Sequence, residues 1–266
     1  WALALGAGPV GVFLMLRRMS LMGDAMAHAV LPGAALGYWV SGLSLGAMTV
    51  GGAVAGLLVA IGSGVVARFT VLKEDTSLAA FYLISLALGV LLVSAGGNQV
   101  DLLNVLFGTV LGLNDDALTL LWVFAGTTLL GLALLYRPLV LECVDPVFLR
   151  SVSRWSAWAH HGFLVLVVLN LVSGFHALGT LMAVGMMVLP AASARFWWRG
   201  LVPMLLGAAL IAGTCATVGL WLSYQTDWAT SPTIVLCMAL VYAISMWLGP
   251  YGAWRSNHAS HTHLKG

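Results

Sequence analysis

The chain has 266 residues, 61% of them hydrophobic and 8% charged, with a mean hydropathy of +1.01, where an ordinary soluble domain carries roughly 25% charged residues. This composition excludes a soluble enzyme and describes an all-α polytopic membrane protein. The formal charge of +2 gives no footing for nucleic acid, and the widely spaced Cys143, Cys215 and Cys237, without a CxxC, point to neither a disulfide framework nor a thiolate zinc site.

Apolar runs between polar breaks predict spans at 2–16, 24–41, 45–67, 78–95, 117–136, 157–173, 177–194, 201–223 and 232–249, about nine in all within a range of eight to ten. The first run starts at Trp1 and is short for a span, so a further N-terminal piece is expected. No cleavable leader is read, because no basic region or small-residue cleavage site accompanies the run.

Every Lys and Arg falls in alternate connections: Arg17 and Arg18; Arg68 and Lys73; Arg137, Arg150 and Arg154; Arg195 and Arg199; Arg255 and Lys265. By the positive-inside rule these connections are cytoplasmic, as is the C-terminus. The intervening ones carry Asp101, Asp115, Asp116 and Asp227 and face outward.

The stretch Arg17–Gly33, RRMSLMGDAMAHAVLPG, places ionisable groups at the start of a predicted span. Asp24 and His28 are four residues apart, so on a helix a carboxylate and an imidazole share one face and can converge on one cation. Ionisable residues within a span are costly and usually mark a pathway. The competing reading is structural: Asp24 caps a helix starting after Gly23, and His28 hydrogen-bonds a neighbouring helix.

Glycines at 33, 37, 51, 52, 56, 62 and 64 predict close helix packing. Segment 96–116 reads as an outer re-entrant or interfacial helix, with a short extra span as the alternative. The longest cytoplasmic connection, Arg137–Trp155, contains Asp145-Pro146, a helix start, followed by the apolar ridge of Val147, Phe148, Leu149 and Val152. Such a helix either enters a groove on a soluble partner or rests on the inner leaflet, which Arg150, Arg154 and Trp155 also favour.

Met182, Met186 and Met187 share a span and read first as adaptable packing, second as a soft-metal path. His176, at the outer end of a span, is a candidate outer-mouth metal contact, against the plainer reading of a solvated histidine. His160 and His161 read as inert interfacial residues. His258, His261 and His263 cluster in the tail 250–266, where they could bind a metal weakly.

These segments carry a family likeness. RRMSLMGDAMAHAVLPG, KEDT at Lys73–Thr76, VDLLNVLFGTVLG at Val100–Gly112, ALGTLMAVGMMVLPAASAR at Ala177–Arg195 and SPTIVL at Ser231–Leu236 resemble the permease subunit of ATP-binding cassette importers for manganese, zinc or iron. The resemblance covers essentially the whole chain. It implies a type II importer-like permease forming one transmembrane domain over 1–266 in a bacterial inner membrane. It also implies a homodimer working with a cytoplasmic ATPase dimer and an extracytoplasmic metal-binding protein, and no permanently bound cofactor. Asp24 and His28 match the family's metal-path positions. Asp145, Pro146, Phe148, Leu149 and Arg150 fall where the family carries its coupling helix, near 145–154. The family commonly has a small residue or Gly soon after that helix, whereas this chain continues Ser151-Val152-Ser153-Arg154-Trp155.

The implied function is ATP-driven uptake of Mn²⁺ or Zn²⁺, or of Fe²⁺, by alternating access, with hydrolysis in the partner, since the chain has no GxxxxGK[ST] loop. Alternatives are a permease for a metal chelate or siderophore and a proton-coupled carrier. The carrier needs ionisable residues spread through several spans, and Asp24 and His28 are nearly the only ones. An intramembrane metallohydrolase is disfavoured by the absence of HExxH.

Overall fold

The computed structural model describes residues 1–41, 44–70, 74–95, 115–144 and 155–252. Those residues form ten α-helices and no strand: α1 Ala2–Leu16, α2 Ser20–Ala29, α3 Leu31–Ser41, α4 Leu45–Phe69, α5 Glu74–Ala95, α6 Asp115–Val144, α7 Trp155–Leu178, α8 Thr180–Trp197, α9 Leu201–Thr226 and α10 Thr230–Leu248. Parts of α4, α6, α8, α9 and α10 are long and apolar enough to cross a membrane, and shorter apolar stretches occupy α1, α5 and α7. Outside α2, which carries Asp24 and His28 on one face, the helices are apolar around most of their circumference, as helices buried in lipid and protein must be. Leu58, Leu88, Leu130, Leu134, Trp221 and Leu240 are exposed on the outer surface of the bundle, while Phe13, Met26, Phe163, Leu171, Met186 and Met187 fill the interior.

Helix α1 is enclosed by α6, α7, α8 and α9, and α3 packs along α4 and α5. Small residues allow these approaches. A Cβ on Gly11 would overlap the Met187 carbonyl of α8, and one on Gly33 would overlap the Gly51 carbonyl of α4. Lipid gives helices no hydrophobic reason to associate, so such backbone contact is what dispersion forces need. Polar side chains add cross-links. Asn170 of α7 donates from Nδ2 to Thr128 Oγ1 of α6 at 2.7 Å, and Ser231 of α10 donates to the Leu178 carbonyl of α7 at 2.9 Å. At the α9–α10 turn, Ser223 Oγ donates to the Trp228 carbonyl at 2.7 Å, while Asp227 takes a left-handed backbone (φ 54).

Each of the nine predicted spans overlaps helical segments, five of the helices being long and apolar enough to cross a membrane, and two spans differ most in detail. The span expected at 24–41 is two helices meeting at Val30. Pro32 has no N–H to return to the His28 carbonyl, so the regular ladder breaks there. In the other case, Arg137–Val144, expected to open a cytoplasmic connection, continues α6 through Pro138. The extension survives because Leu139 and Glu142 are buried against neighbouring helices. The re-entrant helix expected at 96–116 lies outside the described residues up to 114, and its last two residues open α6, where Asp115 and Asp116 complement the helix dipole. The coupling helix at 145–154 and tail residues 253–266, with His258, His261 and His263, also lie outside them.

Candidate metal site

Helix α2 begins at Ser20 and carries Asp24 and His28 on one face. The start at Ser20 overturns the capping reading of Asp24, which sits one turn inside the helix with its amide already in the ladder. Helix α1 ends in a Schellman turn: Met19 N–H donates to the Leu14 carbonyl at 2.8 Å and Arg18 N–H to the Met15 carbonyl at 3.1 Å. Arg18 holds the left-handed position (φ 58) that such a turn normally gives to glycine. This elbow sets the direction of α2.

Asp24 Oδ1 and His28 Nε2 are 3.8 Å apart, too far for a good hydrogen bond. An interposed ion with oxygen and nitrogen ligands at about 2.0–2.2 Å fits that separation. The Asp24 side chain is 64% exposed and that of His28 29%, so the pair opens outward from this chain. His28 Nδ1 is buried without a hydrogen-bond partner among the described residues, contrary to the interhelical bond of the structural reading. The ring lies 6.1 Å from that of Tyr82 on α5, tilted by 30°.

Helix α2 is ten residues long, about 15 Å of rise, half of a hydrocarbon core of about 30 Å. Its C-terminal end carries a His28 carbonyl without its usual i+4 donor, because Pro32 stands at that position. Broken helices whose C-terminal ends and freed carbonyls face a cation are a recurring way of building transport sites. Pro32 creates the break, and Gly52 of α4 lets Val30 seat at it.

Among the described residues no three His, Cys, Asp or Glu converge on one point. Among the described residues Asp24 and His28 would thus offer an ion two ligands, fewer than a first-row cation takes. Met182, Met186 and Met187 are buried in the core, where adaptable packing would place them. His176 lies in the final turn of α7, with its side chain outside the described residues. The coupling residues Asp145, Pro146, Phe148, Leu149 and Arg150 are outside them as well.

A second polar cluster was not legible as such. Arg17 Nη2 donates to Glu142 Oε1 at 3.0 Å and to His160 Nδ1 at 2.6 Å. Because an arginine only donates, His160 accepts at Nδ1 and holds its proton on Nε2. His160, read as inert, is therefore bonded to Arg17, and Glu142 was not singled out. The available signal was that Glu142 is the sole acid between Asp116 and Asp145, in an apolar run.

The model of the ABC 3 transport family matches residues 1–249. The manganese import system permease protein ScaB of Streptococcus parasanguinis is 35% identical over 267 residues, covering 98% of this chain and 92% of the relative. The chelated iron transport system membrane protein YfeD of Yersinia pestis is 33% identical over 235 residues, covering 88% and 77%. The solved structure of PsaBC from Streptococcus pneumoniae in complex with Fab aligns with a TM-score of 0.85 at 30% identity, covering 97% of this chain and 91% of that one. With its signature stretch folded as a broken helix in an all-helical membrane protein, this chain belongs to the ABC 3 transport family.

Proposed function

We propose that this chain is the permease subunit of an ATP-driven importer of divalent metal ions, with Mn²⁺ the first candidate cargo. The observation that carries the reading is the Asp24–His28 pair, 3.8 Å apart on one face of a helix that breaks at Val30, in a family whose relatives are named for manganese import. Zn²⁺ and Fe²⁺ would suit the same donors, since affinity alone does not select manganese. The relative named for chelated iron raises a second reading, an iron chelate. A chelated ion already has its ligands and would gain little from a carboxylate and an imidazole, so the pair favours the bare ion.

In this reading the permease forms one transmembrane domain that acts as a homodimer. Two copies of Asp24 and His28 facing across a two-fold axis would supply two carboxylates and two imidazoles, completing the ligand set that one chain leaves half made. His176 would meet the ion at the outer mouth. Residues 145–154, with Asp145, Pro146, Phe148, Leu149 and Arg150, would dock into a cytoplasmic ATPase dimer, and an extracytoplasmic metal-binding protein would deliver the cargo. Nucleotide-driven closure of the ATPases would then switch the site between outward and inward access, the metal passing as cargo in a bacterial inner membrane.

The test is ⁵⁴Mn²⁺ and ⁶⁵Zn²⁺ uptake by the assembled importer, comparing wild type with Asp24→Asn and His28→Gln at matched membrane expression. Uptake should fall at least tenfold in both variants. Unchanged uptake in both would place the path elsewhere.

A further inference from the structure

The Arg17–Glu142–His160 cluster sits where three pieces of chain relevant to transport meet. Arg17 is the last residue before the elbow that launches α2, the helix carrying Asp24 and His28. Glu142 lies two residues from the end of α6, where the chain leaves for 145–154. His160 lies in the second turn of α7, where it returns. Both flanks of that segment therefore hold one guanidinium, and that guanidinium is joined by the backbone to the metal-bearing helix.

The grip is largely buried and has two levels. The Arg17 and Glu142 side chains are 7% and 3% exposed. The Arg17 guanidinium also lies over the Phe163 ring of α7, 5.1 Å from its centroid. One turn deeper, Phe13 meets Tyr136 of α6 edge-on at 6.4 Å and Phe163 at 6.2 Å. The end of α1 is thus clamped between α6 and α7, and movement of those helix ends must carry it along.

The cluster also has a second arrangement within reach. The ion pair uses one atom from each partner, and the complementary atoms, Arg17 Nη1 and Glu142 Oε2, are buried without a hydrogen-bond partner among the described residues. Turning the guanidinium against the carboxylate would pair them as well, giving the two-pronged geometry that arginine and carboxylate prefer. The turn would withdraw Nη2 from His160. Two discrete geometries at one joint are what a transmitted conformational change requires, and the left-handed Arg18 beside it stores backbone strain of the kind found at switch regions.

We propose that Arg17, Glu142 and His160 form the joint through which movement of the facing ends of α6 and α7 reaches α2 and reorients Asp24 and His28. The proposal rests on the permease reading given above. It makes Arg17, Glu142 and His160 positioning residues that touch no cargo, and it gives them a signature: loss of the joint uncouples ATP hydrolysis from transport, whereas simple unfolding lowers both together.

The experiment reconstitutes the permease with its ATPase and metal-binding partners in lipid vesicles and measures Mn²⁺ taken up per ATP hydrolysed. Glu142→Gln should lower that ratio at least fivefold with ATP hydrolysis within twofold of wild type, and the exchange Arg17→Glu with Glu142→Arg should recover at least half of the loss. If Glu142→Gln does not assemble, His160→Leu, which leaves the ion pair in place, decides the matter with a fall of at least twofold at unchanged thermal stability. A wild-type ratio in Glu142→Gln, or in His160→Leu when that variant decides, would overturn the joint while leaving the permease reading intact, provided Asp24→Asn blocks uptake in the same vesicles. Normal uptake in Asp24→Asn would overturn both.

Discussion

Asp24 Oδ1 stands 3.8 Å from His28 Nε2 on one face of α2, with the carboxylate more exposed than the imidazole. The pair is aimed out of its own chain. Under the proposed function that geometry would be half of a coordination sphere, and it sets the stoichiometry expected of the purified protein. Direct counting of Mn²⁺ by paramagnetic resonance should give one tightly held ion per two chains, removable by chelator. His28→Gln should weaken that binding at least tenfold. One ion per chain would contradict a shared site.

Pro32 withholds the hydrogen bond that would close the ladder onto the His28 carbonyl. Replacing it with Ala restores an N–H and lets α2 and α3 run as one helix, since Ala is favoured over Pro in a helix interior by about 3 kcal/mol, part of which goes to repacking. Thermal stability in detergent should rise or hold, while metal uptake by the assembled importer should fall several-fold. Wild-type uptake with a straightened helix would show that the break is not needed.

The Gly33–Gly51 contact brings α3 against α4 so closely that a Cβ at Gly33 meets the facing carbonyl, whereas nothing lies within 4 Å of the corresponding position at Gly64 or Gly126. Gly33→Ala should therefore destabilise the fold by about 1–3 kcal/mol, the usual cost of overpacking. Gly64→Ala and Gly126→Ala should be neutral or mildly stabilising. A thermal-shift series on the three variants checks the contrast directly.

Asn170 bonds Thr128 across α6 and α7 in a buried setting. Hydrogen bonds between membrane helices average about 0.6 kcal/mol and reach about 1.7 kcal/mol. The coupling energy in a double-mutant cycle of Asn170→Ala and Thr128→Val should lie in that range. A value near zero would assign the stability of this interface to packing alone.

Arg18 occupies a left-handed backbone (φ 58), which costs a non-glycine residue roughly 1–2 kcal/mol. Arg18→Gly should raise thermal stability by up to about 1 kcal/mol, less than the full strain because glycine also gains freedom in the unfolded chain. A stability loss beyond that would show that the Arg18 side chain makes contacts worth more than the strain it imposes.

The sequence by itself determined the solvent, the positions of the helical spans and the spacing of Asp24 and His28. Apolar runs about the length of a bilayer crossing admit one secondary structure, because backbone groups in lipid must bond within their own segment, and the i, i+4 spacing of Asp24 and His28 puts them on one face of any helix. The likeness to metal-importer permeases is carried by Arg17–Gly33 and four further segments, all of them local in sequence. Tertiary structure decided the rest. That α2 starts at Ser20 depends on the Schellman elbow, which is visible only in backbone angles. That Glu142 belongs to a helix, and is matched by Arg17 from 125 residues away, depends on α1 lying between α6 and α7. No local pattern carries that information, because in a chain apolar on every face periodicity does not say which side of a helix meets lipid and which meets protein. Close packing of small residues and buried polar partners makes that choice, and both are properties of pairs of helices.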